Sequence, residues 1–434
     1  MSNSPYLESM FDAMRKSLNA KFERLQGTLP PWTTLLLLMQ QAVGKRSIGY
    51  TALLASMLVS CGKHLGWDAD HAPHESSFCR ARVKFTDDML DKIALVAWKV
   101  VEPHILNAMP RIDGRRLLAI DGAKVNVPRS KSLREMFGCP KGGRYGERVH
   151  QPQMLVVLLV DVLTRTPIAH VVYPHNGSER EGAKDLLKFV CPGDILLFDR
   201  GFHSRVLLEE IVKMKNVHFI FRMCGGKRSW RELRAAQKQC TDNANVMIEI
   251  SGKLIPMRSL SFVHGSGRPH RGTRKERMHL LTNLPRQRFR CRRIRELYRA
   301  RWGIETMIRD FKITLDGENF HARSPNGIKQ ELKVIYLVLG LAALCDVAAR
   351  IEAGLQTDEP LDSRRKESNR IAILEILAVV ISMAATKLAC CRGREALRCV
   401  GRRARPKRPN RRFDRKCKGP FGRWKLYSGK YRKN

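Results

Sequence analysis

The middle of this chain is predicted to be an α/β domain, with a helical region before it and a basic segment after it. Short runs rich in Val, Ile and Leu, 116–121 (RLLAID), 154–162 (MLVVLLVDV) and 168–173 (IAHVVY), sit between turn signals and read as strands. Helical and strand patterns then alternate. Residues 179–190 read as a helix, 194–199 (DILLFD) as a strand, 206–215 as a helix and 217–222 (VHFIFR) as a strand. Upstream, residues 1 to about 108 carry apolar residues at mixed helical spacings, as in 32–41 and 89–101.

Three strands followed by helix–strand–helix–strand is the order of a ribonuclease-H-like α/β domain, placed here at about 109–355. Within it, β-type runs at 246–250, 254–261 and 277–284 are separated by Gly, Pro and basic residues, and read as a β-rich insertion over about 223–285. A long helix is expected from Ile294, and an apolar one over about 333–349. Residues 356–434 read as a C-terminal helix and a basic tail. From Arg392 onward the tail holds 18 Lys and Arg against Glu395 and Asp414, a net +16. Phe413, Phe421, Trp424, Tyr427 and Tyr431 interrupt the charge. A solvated tail has this composition, and so does a segment that contacts nucleic-acid backbone and bases.

At 434 residues and 43% apolar, the chain can bury cores for two or three domains. Its 80 Lys and Arg stand against 41 acidic residues, a formal charge of +39. Such an excess speaks about partners, and nucleic acid is the first candidate, because each phosphate neutralised releases condensed counterions. The helical region 1–108, with the interleaved cations of 77–84 (SFCRARVK), reads as a small DNA-binding domain. No membrane span is expected. The apolar runs at 334–345 and 371–391 are too short or carry Glu375, Ser382, Thr386 and Lys387. Residues 1–18 lack the apolar stretch of a signal peptide, and the twelve scattered cysteines suit a reducing cytoplasm. Cys61, His64, His71, His74 and Cys79 form a cluster, but their order is not a standard zinc spacing.

Two aspartates are placed where a rigid site needs them. Asp121 is expected to close the first strand of the α/β block and Asp199 a later one. Asp121-Gly122 is also a common turn pair. Further on, residues 298–312 (YRARWGIETMIRDFK) bring Tyr298, Arg301, Glu305 and Lys312 within about 60° of arc, if the helix turns about 100° per residue. An Arg301–Glu305 pair on a solvated helix face has the same periodicity.

The spacing Tyr-(2)-Arg-(3)-Glu-(6)-Lys of those four residues matches the signature around the catalytic glutamate of the insertion-sequence-four (IS4) family of DDE transposases. AIDGAKV around Asp121 resembles that family's first carboxylate region, and LFDRGFHS around Asp199, with Arg200-Gly201-Phe202, its second. The β-rich insertion falls where the family has one, and the resemblance runs over roughly 75–350. It implies a ribonuclease-H-like transposase in which Asp121, Asp199 and Glu305 are catalytic and hold two Mg²⁺ ions, with Mn²⁺ able to substitute. Tyr298, Arg301, Lys312 and Arg200 would contact DNA. The implied partners are the element's terminal inverted repeats and target DNA, with two protomers paired on two ends as a homodimer, in the cytoplasm of a bacterium at its nucleoid. Alternatives on the same residues are a nuclease that cuts without joining, and a domesticated DNA-binding protein that has lost catalysis.

Overall fold

The computed structural model describes residues 6–22, 29–44, 49–105, 110–140, 151–239, 243–263, 277–355 and 366–406. Its centre is an eight-stranded sheet in the order β3-β2-β1-β4-β5-β8-β7-β6. β1 (Leu117–Asn126), β2 (Gln153–Asp161) and β3 (Thr166–Pro174) form an antiparallel meander, and β4 (Ile195–Phe198) and β5 (His218–Met223) add to β1 in parallel. This is a ribonuclease-H-like sheet, as the order of sequence patterns predicts. β2 reads as one continuous apolar run because both of its faces are covered. Val156, Leu158 and Val160 face one core, and Leu155, Val157 and Leu159 the other.

One face carries the amphipathic helices α7 (Glu179–Leu186), α8 (Arg205–Lys213) and α9 (Arg231–Gln239). The other packs on the N-terminal helices α1 (Tyr6–Phe22), α2 (Pro31–Val43), α3 (Tyr50–Leu65), α4 (Glu75–Val83) and α5 (Asp87–Ile105). That face also takes α10 (Cys291–Arg299), α11 (Trp302–Arg309), α12 (Pro325–Glu352), α13 (Arg370–Ser382) and α14 (Lys387–Arg402). A short α6 (Lys131–Phe137) follows β1. Among the described residues α12 is the one helix long and apolar enough to cross a membrane, and 89% of its apolar window is buried inside the protein.

Four details differ from the sequence reading. Asp121 does not close β1, which runs on to Asn126 against β2. What ends near Asp121 is the neighbour β4, so the aspartate stands where the parallel pair stops. The region 223–285 extends the same sheet: β8 (Arg277–Thr282), β7 (Lys253–Val263) and β6 (Ala244–Ile250) continue antiparallel from β5, with α9 among them. The helix over 298–312 is not continuous. Arg301 N–H donates to Tyr298 O and Gly303 N–H to Ala300 O, a tight turn between α10 and α11, and Asp310–Thr314 widens into a π-turn. Beside the first break Gly303 lets the chain approach the sheet closely, since a Cβ there would lie 2.8 Å from Val162 O. Finally, the cations from Arg392 begin inside a packed helix, α14, whose Leu397 is fully buried. Residues 407–434, with the tail's aromatics, lie outside the described residues.

One buried ion pair ties the N-terminal helices to the rest. Arg82 on α4 reaches Glu331 on α12 at 3.0 Å, both under 10% exposed, and its Nε donates to Gln330 Oε1. Glu331 also accepts the backbone N–H groups of His321 and Ala322. In a buried pair the loss of one partner leaves the other charge uncompensated. Arg82→Ala or Glu331→Gln is therefore expected to lower folding stability by about 3–5 kcal/mol, read by urea denaturation. A loss below about 1 kcal/mol, the range of exposed pairs, would contradict this role.

Candidate active site

The polar centre of the molecule is the edge where β1 outruns β4. The register pairs Leu117 with Ile195 and Ala119 with Leu197, so its continuation sets Asp199 beside Asp121. β5 continues likewise and brings Arg222 alongside Asp199, with Nη1 at 3.6 Å from Oδ1. Alternation along β1 points Leu118 and Ile120 to the α7–α8 side. Ala119 and Asp121 therefore point to the side of α11.

There the guanidinium of Arg301 meets the acids. Its Nη2 donates to Glu305 Oε1 at 2.7 Å, and its Nη1 lies 3.9 Å from Asp121 Oδ2. The tight turn at 300–301 is what aims it, because Arg301 stands ahead of α11 while Glu305 occupies the first turn of that helix. Burial is the larger force on Asp121 and lifts its carboxyl to about 6. Arg301 and the Gly122 N–H oppose the rise, while the charges of Glu179 and Glu305 add to it. At Asp199 burial also works upward but is outweighed by the Arg200 N–H, Arg301, Arg222 and the Tyr298 hydroxyl, so the carboxyl falls below its usual range. Tyr298 is buried, its ring under Arg301, and its hydroxyl donates to Asp199 Oδ1 at 3.3 Å. Burial, then the Asp199 charge, raises that hydroxyl's pKa, so it stays a protonated donor.

Thus Asp121, Asp199, Glu305, Tyr298 and Arg301 gather at one place. Lys312 does not join them. The π-turn carries it along β1, where it donates to Lys124 O and pairs with Glu318 at 3.3 Å. Arg200 is exposed in the turn after Asp199. Two nearby groups were not singled out from sequence: Arg222, which reads as the polar end of an apolar strand, and Glu179, which reads as a first-turn helix acid. Neither residue carries a signal in the sequence that sets it apart.

Asp121, Asp199 and Glu305 offer carboxylate oxygens only, the donors that hard divalent cations select. Among the described residues no three acidic, His or Cys side chains close to metal-ligand spacing. Arg301 holds the position between the acids and supplies the positive charge their proximity demands. The donor set fits a divalent cation in kind, with that guanidinium displaced. The Cys61–Cys79 cluster does not assemble: Cys61 is buried, His71 pairs with Asp68, and His74 caps α4.

The raised Asp121 carboxyl has a consequence for stability. The folded protein binds its proton more tightly than the unfolded chain does, so between about pH 4 and 6 stability falls as pH rises, and the cost is complete above about 6. Asp121→Asn is therefore expected to stabilise the protein at pH 7 by on the order of 2–3 kcal/mol and to change little near pH 3.5. Urea denaturation at both pH values checks this, and a variant less stable than the parent at pH 7 would contradict the site's electrostatics.

The family model described as a transposase DDE domain matches residues 112–341, just over half of the chain. Transposase InsG for insertion sequence element IS4, from Escherichia coli K12, is 25% identical over 256 residues, 56% of this chain and 54% of that protein. A putative transposase InsZ from the same organism is 32% identical over 95 residues, 22% of this chain and 31% of its own length. The chain thus spans about half the length of the first of these relatives and about a third of the second. A piggyBac transposase synaptic complex with hairpin DNA, solved by cryo-electron microscopy, aligns over 94% of this chain and 86% of its own, at 12% identity and a TM-score of 0.45. By its family match, over just more than half of its length, the chain belongs to the transposases with a DDE domain.

Proposed function

We propose that this protein excises and inserts an insertion sequence, cutting a phosphodiester at the element's end and joining the freed 3′-hydroxyl to target DNA. The observation that carries the reading is the gathering of Asp121, Asp199 and Glu305 around one largely buried guanidinium, where β1 outruns β4 in a DDE-family fold. The formal charge of +39 suits a polyanionic partner. The element's inverted repeats and the target are the DNA segments engaged, by two protomers acting on two ends.

In this reading the three acids hold two Mg²⁺ ions, or Mn²⁺ in their place. When bound, such ions activate a water or 3′-hydroxyl and neutralise charge on the leaving oxygen. The chain's own groups do the rest. Arg301 leaves the acids for a phosphate, to which its planar fork offers two parallel donors. Tyr298 keeps its proton and steadies Asp199, so the phenol is not a nucleophile. Arg200 and Lys312 contribute charge along the backbone flanking the cut, Lys312 from its place beside β1. Hydrolysis consumes water and releases a 3′-hydroxyl and a 5′-phosphate. In strand transfer that hydroxyl attacks a target phosphorus and displaces the target's own 3′-oxygen.

Asp121→Ala, Asp199→Ala and Glu305→Ala are each expected to reduce cleavage of element-end DNA by at least about 1000-fold while gel-shift affinity stays within a few fold. Cleavage should need Mg²⁺ or Mn²⁺ and stop in chelator. Persistence in chelator would exclude the reading, and cleavage without joined products would leave a nuclease.

A second expectation isolates Arg301. Arg301→Lys keeps the charge but loses the bidentate contact, so end-complex formation and cleavage should both fall by about tenfold or more, measured on the same DNA. Parental rates in Arg301→Lys would mean that its charge alone suffices.

A further inference from the structure

We infer that Glu179 is a fourth carboxylate of the divalent-cation site, reaching it from the opposite side of the sheet to Glu305. The inference rests on the transposase reading of that centre. Glu179 opens α7. The N-terminal donor there is satisfied by Ser178, whose hydroxyl accepts from the Glu181 N–H. The Glu179 carboxylate instead lies over Gly122, the residue after Asp121: a Cβ there would be 2.4 Å from Oε1. A Cβ on Gly201, two residues after Asp199, would be 3.8 Å from Oε2. Neither glycine has a positive φ, so neither is required by backbone conformation. What Gly122 provides is room. Two bare positions at the rim of β1 and β4 leave a gap that one carboxylate fills.

The neighbouring residue fixes this placement. Arg180 Nε donates to Gly201 O at 3.0 Å and ties the first turn of α7 to the turn that carries Asp199. Among the described residues Glu179 has no hydrogen-bond or ion-pair partner, although it is half-buried. A structural acid at a helix N-terminus gains from the helix dipole and from solvent. This one is brought toward like charges, which costs stability unless a cation is shared among them.

The test uses the full-length protein without DNA, titrated with Mn²⁺ and read by electron paramagnetic resonance. Glu179→Gln keeps size and shape and removes the charge. It is expected to weaken Mn²⁺ binding by about tenfold or more, with an unchanged or higher melting temperature. Gly122→Ala, which displaces the Glu179 carboxylate without touching its charge, should reproduce the loss, and Glu179→Asp should recover part of it. In the cleavage assay, Glu179→Gln should need about tenfold more Mg²⁺ for half-maximal rate. Parental Mn²⁺ affinity in Glu179→Gln, with affinity lost in Asp121→Ala, would overturn the assignment of Glu179 alone. Parental affinity in both variants would overturn the cation site itself, and this inference with it.

Discussion

Carboxylates gathered in a partly buried site repel one another, and at about 4 Å the cost is near 4 kcal/mol per pair where the effective dielectric is about 20. This protein meets that cost chiefly with one guanidinium, and at Asp199 with the help of a second, Arg222. Arg301 binds Glu305 directly, faces Asp121, and acts on Asp199 through space. Its ring neighbours Tyr298 and Trp302 flank it, so the charge is held on an apolar bed. The strand registers bring Asp199 and Arg222 to the same edge. Tyr298 turns its hydroxyl to Asp199, Arg222 closes the far side, and the helices on either side of 300–301 bend to deliver the arginine.

Much of this was legible in the sequence because the relevant patterns are local. β2, β4 and β5 are continuous apolar runs, which buried parallel and central strands must be. The Tyr298–Arg301–Glu305 spacing survives the turn at 300–301, since those three residues lie close around it. Lys312 illustrates the limit. A constant helical angle puts it with Glu305, but the π-turn at 310–314 adds a residue to the turn and sends it to Glu318 instead.

What was not legible depends on pairings across long stretches of chain. The insertion's strands look the same from sequence whether they form a separate module or lengthen the central sheet, and only the β5–β8 register decides. α9 was hidden because its polar face dominates a short segment between strands. Glu179 lies 58 residues from Asp121 and carries the signature of an ordinary helix start. Its relation to Gly122 appears only once β1 and α7 are brought together.

The Arg82–Glu331 pair bears on how such a protein diversifies. A transposase lineage gains by exchanging the part that reads DNA while keeping the part that cuts it, and separable modules make that exchange cheap. Here α12 runs through the core shared by the N-terminal helices, α13 and the sheet, and its acid neutralises a cation from α4. A foreign N-terminal region grafted onto this catalytic core would bury Glu331 without its counter-charge, and would have to bring an arginine of its own to the same depth. The N-terminal helices and the sheet domain of this chain are coupled by that requirement, so α4 and α12 are bound to change together.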